Sequence, residues 1–287
     1  MIKARAPKIH GITVKSFREI RDELTLDFRT PVGTPANMVV IAGPNGSGKT
    51  SVLEAILLAL GQPDKVDKPS SRLAWRRVVP QETTISVDVS FDGDPVERHS
   101  SLVPEPLEIE YFSSWQAPDF VGVGTSQSQG RLKQRISDEK IRAAFCGEAG
   151  RASQWLSRIN EAWQILRHDD TRLDVQLVDP NADDLLADLF LLRGDERICS
   201  IDRLGQGELR LFTIAATVVM KELTTGVVLI DEPELHFHPE WQGGIFSVLR
   251  HLAPDVQFII ATHSDIIWDR APEYARFNLK NTHHCAF

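Results

Sequence analysis

Apolar and polar side chains alternate with a period of two from Ile9 to Val14 and again from Leu24 to Phe28, around a polar turn at 18–23. That period predicts two strands. Pro31, Gly33 and Pro35 end the pattern. Met38 to Ala42 is then a continuous apolar run, which predicts a short strand covered on both faces. Gly43 to Thr50 is a loop, and SVLEAILLAL (51–60) an apolar-rich helix stopped by Gly61 and Pro63. Beyond a polar, proline-containing connection over 61–82, Thr83–Phe91 alternates as a strand turned at Asp92-Gly93-Asp94-Pro95, and Leu107–Phe112 predicts another. The Ser-, Gln- and Gly-rich stretch 113–130 reads as a long loop.

Leu132, Ile136, Ile141 and Phe145, then Trp155, Leu156, Ile159, Trp163 and Leu166, recur near helical spacing. Residues 131–168 therefore read as helices, with both tryptophans on the core stripe. Leu173–Val178 predicts a strand, Asp183–Leu192 a helix, Leu209–Leu223 a helix and Val227–Ile230 a buried strand. Trp241–Leu252 predicts a helix and Phe258–Ala261 a last buried strand. Strands and helices alternate at both ends, so the fold class is α/β: a mixed core sheet interrupted by an insertion over roughly 80–200.

Composition narrows the function. The chain has 287 residues, enough to bury a core without disulfides or a structural metal. Thirty-two Lys and Arg against forty Asp and Glu give a formal charge of −8, which excludes a general basic coat for nucleic acid. Two local basic stretches remain. Lys3, Arg5, Lys8, Lys15, Arg18 and Arg21 face the single acid Glu19 within residues 1–21, and Arg131, Lys133, Arg135, Lys140 and Arg142 outweigh Asp138 and Glu139 on a predicted helix. Each reads first as a solvated face, and second as a contact for phosphates or an acidic partner. Cys146, Cys199 and Cys285 form neither a disulfide framework nor a metal set. With no signal-peptide core and no membrane-spanning apolar run, a cytoplasmic protein with no membrane partner is expected.

The strongest chemical signal is Gly43-Pro44-Asn45-Gly46-Ser47-Gly48-Lys49-Thr50, a match to G-x-x-x-x-G-K-[ST] between a buried strand and a helix. Glycines at 43, 46 and 48 let successive N–H groups point into one anion-sized concavity, and the helix after it adds its positive end. Gly43, Asn45, Gly46, Ser47, Gly48, Lys49, Thr50 and Ser51 are the candidate nucleotide contacts. Lys49 reaches phosphate oxygens, and the Thr50 hydroxyl suits magnesium. Val227–Ile230 delivers Asp231 and Glu232 at its C-terminal end, where ligands collect in open α/β sheets. Asp231 is placed to hold magnesium and Glu232 to orient or deprotonate the attacking water. Phe258–Ala261 leads to Thr262-His263-Ser264, so His263 is a candidate partner of the γ-phosphate or of that water. Glu234, His236 and His238 alternate and also admit a metal-binding reading.

These elements, in this order, resemble the ABC-type ATPases, and within them the branch of RecF, the OLD nucleases and the structural-maintenance-of-chromosomes ATPases. The opening IHGITVKSFREIRDELTLDF, the loop and helix GPNGSGKTSVLEAI, and DEPELHFHPEWQ followed by FIIATHS carry the likeness. It covers about residues 8–62 and 198–268. It implies a single P-loop NTPase domain with an ABC-type ATPase head, its core near 1–80 and 198–287, and an inserted helical lid region near 80–197.

The resemblance further implies a homodimer that clamps ATP and Mg2+ between the phosphate loop of one copy and a signature motif of the other. Leu204-Gly205-Gln206-Gly207-Glu208 is similar to that signature, with Gly205 in place of the family's serine. Gly205 and Gly207 would then face a phosphate, short of one hydroxyl. The family's magnesium-sensing glutamine corresponds to Gln116 or, less well by position, Gln81. The family's loop after the Asp–Glu pair makes His236 and His238 part of a dimer seam. Two processes follow: an ATP hydrolase in DNA maintenance or anti-phage defence, or a nucleotide-switched module controlling a partner with little turnover. No coiled-coil heptads run through the insertion, and about twenty residues follow the His263 region. A separate effector protein, a nuclease or a toxin, is therefore expected, and DNA contact would fall to the two basic stretches.

Overall fold

The computed structural model describes residues 4–66, 82–91, 93–100, 106–114, 127–146, 150–179 and 186–279. In chain order the elements are β1 (Pro7–Lys15), β2 (Leu24–Asp27), β3 (Met38–Ala42), α1 (Lys49–Ala59), β4 (Thr84–Phe91), β5 (Glu97–His99) and β6 (Ile109–Phe112). Then follow α2 (Gln127–Cys146), α3 (Arg151–Arg167), β7 (Thr171–Leu177), β8 (Ala187–Arg193), β9 (Glu196–Ser200) and α4 (Gln206–Met220). The last are β10 (Val227–Asp231), α5 (Pro239–Gln242), α6 (Ile245–Leu252), β11 (Gln257–Thr262), α7 (Asp265–Arg270) and β12 (Arg276–Asn278). They divide into two compact units, one of residues 1–115, 224–234 and 255–287, the other of 116–223 and 235–254.

The first unit holds two sheets. A parallel sheet runs β12-β3-β11-β10-β6, and an antiparallel one runs β2-β1-β4-β5. Every residue of β3, β10 and β11 is buried, as continuous apolar runs require when both faces are covered. One core joins Val52, Leu53, Ile56 and Leu57 of α1 with Ile9 and Ile12 of β1, Val87 and Val89 of β4, and Val39, Leu229 and Ile259 of the parallel strands. That core sets the first helix and the three central strand ends in fixed register. Fully buried Gln257 ties the two sheets: its side chain accepts from Ile9 N–H and donates to the Ile9 and Ala36 carbonyls.

The second unit packs α3 through Trp155, Leu156, Ile159, Trp163 and Leu166, the helical stripe read from the sequence. Trp163 is wholly buried, and its indole N–H donates to Thr171 Oγ1 at 3.2 Å. Strands β7-β8-β9 form an antiparallel sheet. Here the expected helix over Asp183–Leu192 is corrected: 187–193 is a strand. Pairing on both sides and burial of Leu189, Leu191 and Leu192 outweigh the helix-favouring Leu and Ala content. The helix expected over Trp241–Leu252 is two helices, interrupted at Gly243-Gly244. The helix expected from Leu209 begins at Gln206, because the Glu208 carboxylate accepts the Gly205 N–H at 2.7 Å and caps the first turn.

The two basic stretches are largely engaged within the fold. Arg5 pairs with Asp94, Lys8 donates to the Asp255 carbonyl and Arg18 pairs with Glu54. On α2, Lys133 bridges Asp188 and Asp202, Lys140 meets Asp174 and the Arg135 guanidinium lies over the Trp155 ring. No helix among the described residues is long and apolar enough to cross a membrane. Lys3, Gln81, most of 113–130 and the His283-His284-Cys285 tail lie outside the described residues.

Candidate nucleotide site

The strand–loop–helix order of the glycine-rich segment is present in the first unit. β3 ends at Ala42, residues 43–48 turn, and α1 begins at Lys49. Gly48 is the residue before the helix, at φ 91°, and a Cβ there would stand 2.9 Å from Ile20 Cγ1. Left-handed backbone and close packing both require glycine at this position. No side chain caps the helix and its first turn carries no acid, so its leading N–H groups are left for an anion. Asn45 and Gly46 are exposed at the tip of the loop.

Lys49 is buried, and its ammonium donates to the carbonyls of Gly43 at 2.8 Å and Pro44 at 3.0 Å. Ser51 is buried, its hydroxyl donating to Glu19 Oε2 at 2.5 Å. Glu19 belongs to the turn at 16–21 in which Ser16 and Arg18 have positive φ, so that turn is fastened to α1 by both the Glu19–Ser51 and the Arg18–Glu54 contacts.

Thr50 Oγ1 donates to Asp231 Oδ2 at 3.0 Å, and Ser114 Oγ donates to the same oxygen at 2.9 Å. Asp231 is fully buried at the end of β10, and this burial raises its pKa above the ordinary carboxylate value. The two hydroxyls and the Lys49 charge oppose that rise, and Glu232 adds to it. Two hydroxyls and a carboxylate converging on one point form a hard oxygen donor set, the kind that suits Mg2+ completed by phosphate and water oxygens. Ser114 is the residue the sequence alone did not single out. Its only sequence signal is its position two residues before Gln116, which lies outside the described residues.

Glu232 follows the strand at φ 49°, its N–H donating to the Ala261 carbonyl at 2.8 Å. A non-glycine residue in this region carries strain of about 1 kcal/mol, a feature that gathers at functional positions. The turn brings Glu232 Oε1 to 3.7 Å from His263 Nδ1. Glu234, two residues on, accepts at Oε1 from Thr262 Oγ1 at 2.6 Å and from the His263 N–H at 2.8 Å. The described residues contain no group of three or more His, Cys, Asp or Glu side chains arranged to hold a metal ion.

Lys49, Thr50, Asp231, Glu232 and His263 are thus all in the first unit, at the ends of β3, β10 and β11. Gly205 and Gly207 are in the second, at the start of α4. There the Gly205 N–H is taken by Glu208, whose carboxylate also pairs with Arg167.

Comparison with known proteins agrees with this architecture. An AAA-domain family profile matches residues 11–167. A second AAA-domain profile, described with the AbiEii toxin and type IV toxin–antitoxin systems, matches 156–269. The chain is 24% identical over 283 residues to the Septu protein PtuA of Bacillus mycoides (strain KBAB4), covering 90% of this chain and 38% of that protein. It is 33% identical over 91 residues to the retron Vc95 probable ATPase of Vibrio cholerae serotype O1 biovar El Tor, covering 28% of this chain and 18% of the relative. The chain therefore spans well under half the length of these relatives. Among solved structures, an Smc head bound to the C-terminal winged-helix domain of ScpA matches with a TM-score of 0.56 and 15% identity over 92% of each chain. The AAA-domain profile covers more than half of the chain, and with a parallel sheet, a phosphate loop after buried β3 and an Asp–Glu pair at the end of β10, the chain belongs to the AAA-domain family of P-loop ATPases.

Proposed function

We propose that the protein binds and hydrolyses ATP with Mg2+. The observation that carries this reading is the Thr50–Asp231–Ser114 cluster, joined by hydrogen bonds of 2.9 and 3.0 Å to one carboxylate oxygen, beside a buried lysine on a phosphate loop. Bound there, Mg2+ would neutralise charge on the β- and γ-phosphates, held by Thr50 and Asp231, with Gln116 as a further candidate. The N–H groups of 45–50 cradle the phosphates, with Gly43, Gly46 and Gly48 shaping the turn and Ser47 and Ser51 flanking it. Lys49 exchanges its carbonyl partners for phosphate oxygens. Glu232 orients or deprotonates the attacking water, and His263 meets the γ-phosphate. Positioning and electrostatics supply most of the catalysis in such reactions.

The same reading takes the whole chain as one ATPase domain, its core near 1–80 and 198–287 and its insertion near 80–197. ATP drives two copies together, with Gly205 and Gly207 of one copy facing the nucleotide of the other. The likeness to a Septu protein and a retron ATPase supports a role in anti-phage defence, and the same reading takes the protein as cytoplasmic and acting with a separate nuclease or toxin effector. DNA maintenance and direct DNA contact are the weaker form of this proposal, because the basic stretches are largely paired within the fold. A nucleotide-switched module with little turnover is the second reading, favoured by the missing signature hydroxyl at Gly205.

Steady-state ATPase assays of wild type and Glu232→Gln decide between the two. Hydrolysis requires a wild-type rate about 100-fold above that of the variant, and equal rates leave only the switch. Sizing with ATP tests the dimer: Glu232→Gln shifts to twice the mass and Lys49→Ala does not.

A further inference from the structure

Glu234 is more deeply buried than its neighbour, its side chain 3% exposed against 24% for Glu232. Two donors from the end of β11, Thr262 Oγ1 and the His263 N–H, hold one of its oxygens. Its other oxygen, Oε2, is buried and has no hydrogen-bond partner among the described residues. A buried carboxylate oxygen left unpaired is costly, and native sites supply it with a donor. The side-chain donor beside this carboxylate is the His263 ring, whose Nδ1 is 3.2 Å from Oε1, closer than its 3.7 Å to Glu232.

We infer that Glu234 is the positioning residue of His263: it takes the Nδ1–H as a hydrogen bond, fixes the ring in that tautomer and holds it off Glu232. The partner of one ring nitrogen decides which nitrogen carries the proton. With Nδ1 committed, Nε2 alone faces the γ-phosphate and the attacking water. Glu232 meanwhile keeps its oxygens for water. This inference rests on the reading of His263 as a nucleotide-facing residue.

The test uses the full chain labelled with 15N-histidine, without nucleotide, at pH 8.5. Nine histidines are present, and the His263 signals are those lost in His263→Gln. Wild type is expected to show a protonated Nδ1 and an unprotonated Nε2. Glu234→Ala is expected to lose that signature and to lower kcat by about 10–100-fold, with KM for ATP within about threefold. Glu234→Gln, which keeps an acceptor for Thr262 and His263, restores the signature and part of kcat. A wild-type ring protonated at Nε2 overturns the inference, as does a Glu234→Ala protein with unchanged signature and kcat. The wild-type spectrum decides even where Glu234→Ala fails to fold. Absence of turnover above the Glu232→Gln background removes the hydrolase reading instead, and leaves the ring signature standing or falling by itself.

Discussion

Thr50 Oγ1 and Asp231 Oδ2 lie 3.0 Å apart although 181 residues separate them in the chain. The pairing joins the first turn of α1 to the end of β10, and the apolar core between α1 and the parallel sheet fixes both. The oxygen cluster proposed to hold Mg2+ is therefore assembled by the fold itself.

That assembly has a cost at Asp231. Burial holds its folded-state pKa above the unfolded value, so the folded chain binds more protons across the interval between the two. Stability falls as pH rises through that interval, and at neutral pH the whole penalty is present. Asp231→Asn is expected to raise the unfolding midpoint of the nucleotide-free protein at pH 7 by about 2–4 °C, the response to a gain of about 1 kcal/mol. The gain vanishes as pH drops below the ordinary carboxylate range. Calorimetry across pH checks this, and the same variant loses Mg2+-dependent turnover.

Glu232 stores strain of a different kind. At φ 49° a glycine is at ease, so Glu232→Gly is expected to raise the unfolding midpoint by about 2–4 °C while abolishing hydrolysis. Thermal scans beside ATPase assays test whether stability and activity oppose each other here.

Lys49→Met keeps the buried stem and removes the ammonium. ATP affinity is expected to fall by about 100-fold, about 2.7 kcal/mol, with the unfolding midpoint little changed. Titration calorimetry with ATP measures it.

The two signature glycines are expected to respond in opposite directions. A Cβ on Gly207 would collide with the His236 carbonyl oxygen, so Gly207→Ala destabilises by about 1–3 kcal/mol. Gly205 has ordinary φ and its Cβ would meet only Glu208 Oε2, at 3.4 Å. Gly205→Ser is tolerated, gains a few tenths of a kcal/mol as a helix cap and strengthens ATP-driven dimerisation. Urea melts and sizing with ATP separate the pair.

Much of this was legible in the residues. Apolar runs gave the buried strands β3, β10 and β11, because a strand covered on both faces has no polar side to mislead. The phosphate loop, Asp231, Glu232 and His263 all sit at the ends of those runs. The 187–193 strand was not legible from its Leu-rich composition, though the turn at Gly194-Asp195 that pairs it with β9 was a signal. Ser114 was not singled out, and Glu234 was read only as a metal candidate, because their contacts arise across the sheet. Each meets residues from another strand end, Asp231 for Ser114 and Thr262 with the His263 N–H for Glu234, and no local spacing records that.

The resting position of Lys49 bears on how nucleotide enters. Its ammonium already has two carbonyl acceptors from its own loop, so its charge is partnered before any phosphate arrives. ATP capture is then a ligand exchange at one nitrogen, carbonyl oxygens leaving as phosphate oxygens arrive, on a loop whose course is already set. Such a step is paced by the swing of a side chain rather than by the folding of a segment. The heat-capacity change of ATP binding should accordingly be small compared with that of proteins that order a loop around their nucleotide.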